Sequence, residues 1–167
     1  GVPPDRTGAR HPTITPFSTF RASDGFFVIA AGNDAMFARL CATLGLGPLP
    51  DDPRFATNAA RCGNHALLKR LIEAVTLGQT AAHWVAALDD AALPTARVQD
   101  MAQVLRDPQL LARNMVLRVQ ARPGGPAFAA AGNPVKMTGL AEPTSRPPAA
   151  ALDGDRQAVL AWLDATD

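Results

Sequence analysis

One hundred and sixty-seven residues, 47% of them hydrophobic but only 5% aromatic and none a tyrosine, suffice for a single folded domain with a core of Leu, Val, Ala, Phe and Met. Sixteen basic and fifteen acidic side chains leave a formal charge of +1 without any Lys/Arg run, which argues against nucleic acid and anionic membrane as partners. No apolar run approaches the roughly 20 residues that span a bilayer, and nothing near Gly1 has the basic start and apolar centre of a secretory signal, so a soluble cytoplasmic domain is expected.

In chain order, residues 1–16 carry prolines at 3, 4, 12 and 16 and read as an extended linker. Phe17 to Phe20 forms a short strand, Ser23-Asp24-Gly25 a tight turn, and Phe26 to Ala31 a buried strand; Asp-Gly between apolar runs is a strong hairpin signal. Gly32-Asn33-Asp34 stops that strand and caps a helix whose Phe37, Leu40, Cys41 and Leu44 share one face. A strand ending in a polar loop at a helix start is good geometry for holding a ligand and equally good geometry for plain folding. Asp34 is read as a capping carboxylate that can also face a cleft, which makes Gly32, Asn33 and Asp34 the best binding candidates.

Gly45, Gly47, Pro48 and Pro50 end the helix, and Asp52-Pro53 opens a turn. An amphipathic helix follows Asn64, with Leu67, Leu68, Leu71, Ile72 and Val75 on one side and Gly78 past its end. Thr80 caps the next helix, striped by Trp84, Val85 and Leu88. Asp100 and Asp107-Pro108 start two short helices whose Met101, Val104, Leu105, Leu110 and Leu111 are expected to face inward.

The texture then changes. Val116–Gln120 nearly alternates in polarity, 123–126 is a Pro-Gly-Gly-Pro turn, Ala127 to Ala131 returns as a strand, and Val135-Lys136-Met137 resumes it after Gly132-Asn133-Pro134. With Phe26 to Ala31 these strands suggest one antiparallel sheet of about three strands packed with several short helices, an α+β domain over 17–140. Residues 141–152 read as a Pro-rich linker, and 153–167 as a final helix whose Val159, Leu160 and Leu163 can face a neighbouring molecule.

Several residues take bland readings. Cys41 and Cys62 form no Cys-x-x-Cys pair, a disulfide is not expected, and no set of ligands for a metal is present. His11, His65 and His83 lie far apart and read as surface or capping groups. Gly124-Gly125 lacks the lysine and strand-to-helix setting of a phosphate loop. Arg54, Arg61, Lys69 and Arg70 are chemically suited to phosphate oxygens, but solvated or structural roles fit their placement better.

An ordered set of short motifs resembles the family III CoA-transferases, the group of formyl-CoA transferase, the carnitine CoA-transferase type and α-methylacyl-CoA racemase. It comprises Phe17 to Phe20, Asp24-Gly25, the strand Phe26 to Ala31, Asn33-Asp34-Ala35-Met36-Phe37, Asp52-Pro53-Arg54-Phe55-Ala56-Thr57-Asn58 with Arg61 and Asn64, Thr80 with Trp84 and Leu88, Leu93-Pro94 before a short strand, Asp107-Pro108-Gln109 with Ala112-Arg113, and Gly132 to Met137. The likeness runs from about His11 to Leu163 and concerns only the C-terminal part of family members, including their smaller domain. With Gly1 first and Met36 the first methionine, a piece of a longer protein is expected.

The resemblance implies covalent catalysis by an aspartate that attacks a CoA thioester to give a mixed anhydride. That aspartate lies in the N-terminal half, so no catalytic residue carries over to this chain. Acyl-CoA and a small carboxylic acid are the implied substrates, coenzyme A thioester being a substrate and no cofactor being tightly bound. An interlocked homodimer is implied for the intact protein. In the racemase branch an acidic residue matching Asp34 lies near the acyl-binding cleft. Three readings stand open: the acyl-side domain of a CoA-transferase, a domain of a racemase-type enzyme, and a non-catalytic module that binds acyl-CoA or a protein. On the first, the chain alone is expected to be inactive.

Overall fold

The computed structural model describes residues 6–122 and 124–165, so the start of the expected linker, Pro123 of the expected turn and the last two residues of the expected final helix lie outside the described residues. The chain divides into two compact units, the first ending at Val98 and the second beginning at Gln99, a boundary the sequence reading did not draw.

In the first unit, β1 (Phe17–Ala22) and β2 (Gly25–Ala30) form the expected hairpin, with Ala22 opposite Gly25 and Phe17 opposite Ala30. The two loop residues are Ser23 and Asp24, and Gly25 is already the first residue of β2. On the far side of β2 lies β3 (Thr95–Arg97), antiparallel and in register from Ile29–Thr95 to Phe27–Arg97, so the order is β1-β2-β3. Alternation decides what each strand buries: Phe20, Ala22, Phe27 and Ile29 are buried, while Phe26, on the other face, is half exposed.

Helices cover the buried face. They are α1 (Asp34–Thr43), α2 (Asn58–Gly63), α3 (His65–Thr76) and α4 (Ala81–Asp90). Phe37, Leu40 and Cys41 from α1, Leu68 and Ile72 from α3, and Trp84 and Leu88 from α4 join the strand residues in one core, with Phe55 and Leu93 from the connections. Polar side chains pin the helices to the strands and to one another. Thr76 Oγ1 donates to the Arg21 carbonyl at 2.6 Å, Lys69 Nζ to the Thr19 carbonyl at 2.7 Å, and Trp84 Nε1 to the Thr76 carbonyl at 2.7 Å. The last of these is buried, so Trp84→Phe, which keeps an aromatic ring but leaves that carbonyl only a long 3.4 Å bond from the Gln79 amide, is expected to cost about 1 kcal/mol in denaturant unfolding.

Sequence expectations at the helix starts hold in most cases. Thr80 accepts from the His83 amide, and Asp52 accepts from the Arg54 backbone and guanidinium. The expected Asp34 cap does not form: Asn33 holds the cap position, its Oδ1 accepting from the Met36 amide at 2.9 Å, and Asp34 is the first helical residue. Asparagine one residue earlier sits in the extended conformation that a cap requires, which leaves the aspartate carboxylate free for another partner.

The second unit has its own sheet. β4 (Val116–Gln120) pairs antiparallel with β5 (Ala127–Ala131) and parallel with β6 (Ser145–Arg146), giving the order β5-β4-β6. The protein is therefore α+β, but its strands fall into two three-stranded sheets, not one: β2 takes its partners from β1 and β3. Val135–Met137 forms no strand, and the Pro-rich stretch contributes β6 where open linker was expected. Gly132 lies against the Asn114 carbonyl so closely that a Cβ would collide with it, which fixes glycine where the chain leaves β5.

The short helices α5 (Met101–Val104) and α6 (Pro108–Ala112) begin at Asp100 and Asp107 as expected, the former with a full capping box to Gln103. Their apolar residues do not form the expected inward stripe. Met101 is 70% exposed and Leu105 and Leu111 are exposed, because helices of four and five residues are too short to present a continuous face. The last helix, α7 (Arg156–Asp164), exposes Val159, Leu160, Trp162 and Leu163. Among the described residues no helix is long and apolar enough to cross a membrane.

Candidate functional site

The head of α1 is organised by a residue that lies 27 positions downstream. Arg61, on the short helix α2, is completely buried. Its Nε donates to the Thr15 carbonyl at 2.7 Å, one terminal nitrogen to the Phe55 carbonyl at 2.9 Å, and the other to Asp34 Oδ1 at 2.7 Å. The guanidinium also lies over the Phe37 ring, 4.5 Å from its centroid, an arrangement in which the positive charge meets the negative face of the ring. A single planar fork thus ties together the segment before β1, the turn after Asp52, and the start of α1. The planar, fixed directions of the guanidinium donors suit it to this task.

The ion pair is lopsided. The Arg61 side chain is 0% exposed, whereas that of Asp34 is 67% exposed. Only Oδ1 of Asp34 is engaged among the described residues, so Oδ2 faces outward at the positive end of a helix, where a carboxylate is favoured. Asn33, beside it, uses its Oδ1 for the cap, and its amide nitrogen makes no hydrogen bond among the described residues. Gly32 completes the stretch: a Cβ there would meet nothing nearer than Met36 Sδ at 4.0 Å, so local packing does not demand glycine. The three sequence candidates therefore form one exposed donor–acceptor edge with a bare backbone step in front of it.

Arg61 was read from sequence as a surface or structural cation, and the structural half of that reading is what the fold uses. Arg54 is held by Asp52, with contacts down to 2.6 Å; this pairing keeps the Asp52 carboxyl below its ordinary range. Lys69 pairs with Glu73 at 3.7 Å. Cys41 and Cys62 are both free thiols, as expected. Burial pushes the Cys41 thiol up to about 11, against the opposing pull of the Arg61 charge. Its folded value lies above the ordinary 9.0, so the stability it contributes is intact below pH 9 and is lost as pH rises toward 11, where only the unfolded chain ionises readily. Stability measured across that window should fall less steeply in Cys41→Ala than in the parent. No group of three or more His, Cys, Asp or Glu among the described residues is placed to hold a metal ion.

The description of CoA-transferase family III matches residues 1–155. The chain belongs to that family. Its acetyl-CoA:oxalate CoA-transferase relative from Acetobacter aceti is 40% identical over 153 residues, covering 92% of this chain and 38% of the relative. A succinate–glutarate CoA-transferase from Agrobacterium fabrum is 36% identical over 124 residues, 74% of this chain and 31% of that protein. Among solved structures, a CaiB/BaiF family protein from Brucella suis superposes with a TM-score of 0.75 at 35% identity, covering 96% of this chain and 40% of that one. The chain thus spans about two fifths or less of the family III proteins it matches, and the α+β fold is that of the family.

Proposed function

We propose that the intact protein transfers CoA between an acyl-CoA thioester and a carboxylic acid, and that this chain supplies the acyl-side wall of the active site. The observation that carries the reading is the family III match over residues 1–155, with a 40% identical relative named as a CoA-transferase. The two curated relatives are named for oxalate, succinate and glutarate, all acids with two carboxyl groups, so a dicarboxylic acid is the inferred acceptor. The nucleophilic carboxylate lies outside this chain, which on its own is expected to be inactive. A homodimer of the intact enzyme and a cytoplasmic location belong to the same proposal.

Within this reading, Gly32, Asn33 and Asp34 contact the acyl group or the acid. The bare step at Gly32 lets a ligand approach the backbone, Asn33 Nδ2 donates, and the outward oxygen of Asp34 accepts. The test is to incubate the full-length enzyme with succinyl-CoA and a panel of unlabelled acids and follow thioesters by mass spectrometry. A transferase makes a second thioester in step with loss of the first. A racemase-type enzyme makes none but exchanges the proton next to the thioester carbonyl with deuterated water. Neither reaction, with CoA binding retained by the isolated chain, would replace both readings with a binding module.

A further inference from the structure

The two carbonyls that receive Arg61 are themselves immobilised. Asn58 stands on the same short helix as Arg61. Its Oδ1 accepts from the Thr15 amide at 3.1 Å and its Nδ2 donates to the Thr13 carbonyl at 2.8 Å, so the Thr15 carbonyl lies in a segment already clamped to α2. Phe55 is held by its buried ring and by the bond from its amide to the Asp52 carbonyl at 2.8 Å. A planar guanidinium gripped at two such carbonyls and lying over Phe37 has little freedom to turn, and its remaining terminal nitrogen is aimed at Asp34.

Constraint therefore passes from the rigid partner to the mobile one. The Asp34 side chain stands mostly in solvent and without Arg61 would spread over its staggered rotamers. Holding Oδ1 at 2.7 Å removes that choice, and because a carboxylate is planar, Oδ2 is fixed with it. A side chain that meets substrate works when a second group locks its rotamer, and displacements near 1 Å can cost about 100-fold in rate. Charge balance alone asks for less: any carboxylate within reach would neutralise Arg61, wherever its second oxygen lay.

We propose that Arg61 is a positioning residue for CoA transfer, acting on the reaction through Asp34 by holding the outward oxygen in place. The proposal rests on the reading in which Asp34 meets the acyl group or the acid; the pairing itself rests on geometry alone.

The test is a cycle of kcat/KM values in the full-length enzyme, with succinyl-CoA and whichever acid of the panel it converts fastest, at a temperature where circular dichroism shows each variant folded. Arg61→Lys is expected to lower kcat/KM about tenfold, and to lower it no further when added to Asp34→Ala, because Arg61 then has nothing left to position. An equal loss in both backgrounds overturns the proposal, since a loosened fold acts with or without Asp34. So does full activity of Arg61→Lys. Asp34→Glu leaves the buried fork untouched: it retains the charge and can still pair with Arg61, but moves the outward oxygen by one methylene group. It should melt close to the parent and lose most of the activity that Asp34→Ala loses. Parental kcat and KM in Asp34→Glu overturn the proposal even where Arg61→Lys does not fold. If the enzyme transfers no CoA, or if Asp34→Ala keeps parental kcat/KM, the reading of the site falls and the proposal with it. A loss in Asp34→Ala that neither Asp34→Glu nor Arg61→Lys shares removes the proposal alone.

Discussion

Arg61→Met is expected to destabilise the protein by about 3–5 kcal/mol, a fall in melting temperature of roughly 10 °C for a chain of this size. The side chain is fully buried and satisfies two buried carbonyls, those of Thr15 and Phe55. Methionine fills much of the volume but donates to neither, and each stranded carbonyl costs about 1–3 kcal/mol. Loss of the Phe37 contact adds to this. Arg61→Lys should recover little, because one ammonium cannot reach three acceptors set in a fork. The partner substitution must behave differently. Asp34 is mostly exposed, so Asp34→Ala leaves no buried carbonyl unmet; it leaves one donor of the buried guanidinium without its carboxylate, which costs about 1–2 kcal/mol. A denaturant series on both single variants and the double variant separates these contributions. If Arg61→Met and Asp34→Ala cost the same and the double variant costs no more, the fork to the two carbonyls is not what holds these segments.

That asymmetry shows where sequence reading stops. The hairpin, the helices α1, α3 and α4 and the caps at Thr80, Asp100 and Asp107 were legible because each is encoded within a few residues: an Asp-Gly step, a 3.6-residue stripe, a polar residue before it. The grouping of strands was not. β2 is apolar on nearly every residue, and nothing in it distinguishes a pairing with the three residues Thr95–Arg97 from one with the longer and more obvious strand Val116–Gln120. β6 went unread because two residues between prolines carry no period.

Arg61 itself was named, but with solvated and structural roles left side by side. One local signal separates it from its neighbours: Lys69 has Glu73 one turn away, whereas no acidic residue stands within four positions of Arg61. A cation on a short helix without a local counter-charge is a candidate for a distant one. The stretch Gly32-Asn33-Asp34 stood out as a candidate because glycine, amide and carboxylate meet at a strand-to-helix junction, but the division of labour between Asn33 as cap and Asp34 as ion-pair partner depends on residue 61 and could not be read locally.

The largest functional effect is expected at Asp34. In the full-length enzyme Asp34→Ala should lower kcat/KM by about 10- to 100-fold, the range for losing one hydrogen bond to a charged group at a substrate. Asp34→Asn is the sharper variant. Its amide oxygen can still accept from Arg61, so the fork and the fold survive, but the outward group becomes a neutral donor in place of a charged acceptor. If Asp34 acts only by fixing the start of α1, Asp34→Asn should retain nearly full activity and melt close to the parent. If its outward oxygen meets the acyl group or the acid, Asp34→Asn should lose activity almost as far as Asp34→Ala while keeping its melting temperature. Unchanged kcat and KM in Asp34→Ala would remove the residue from the site altogether, and with it the reason to place the acyl group at the head of α1.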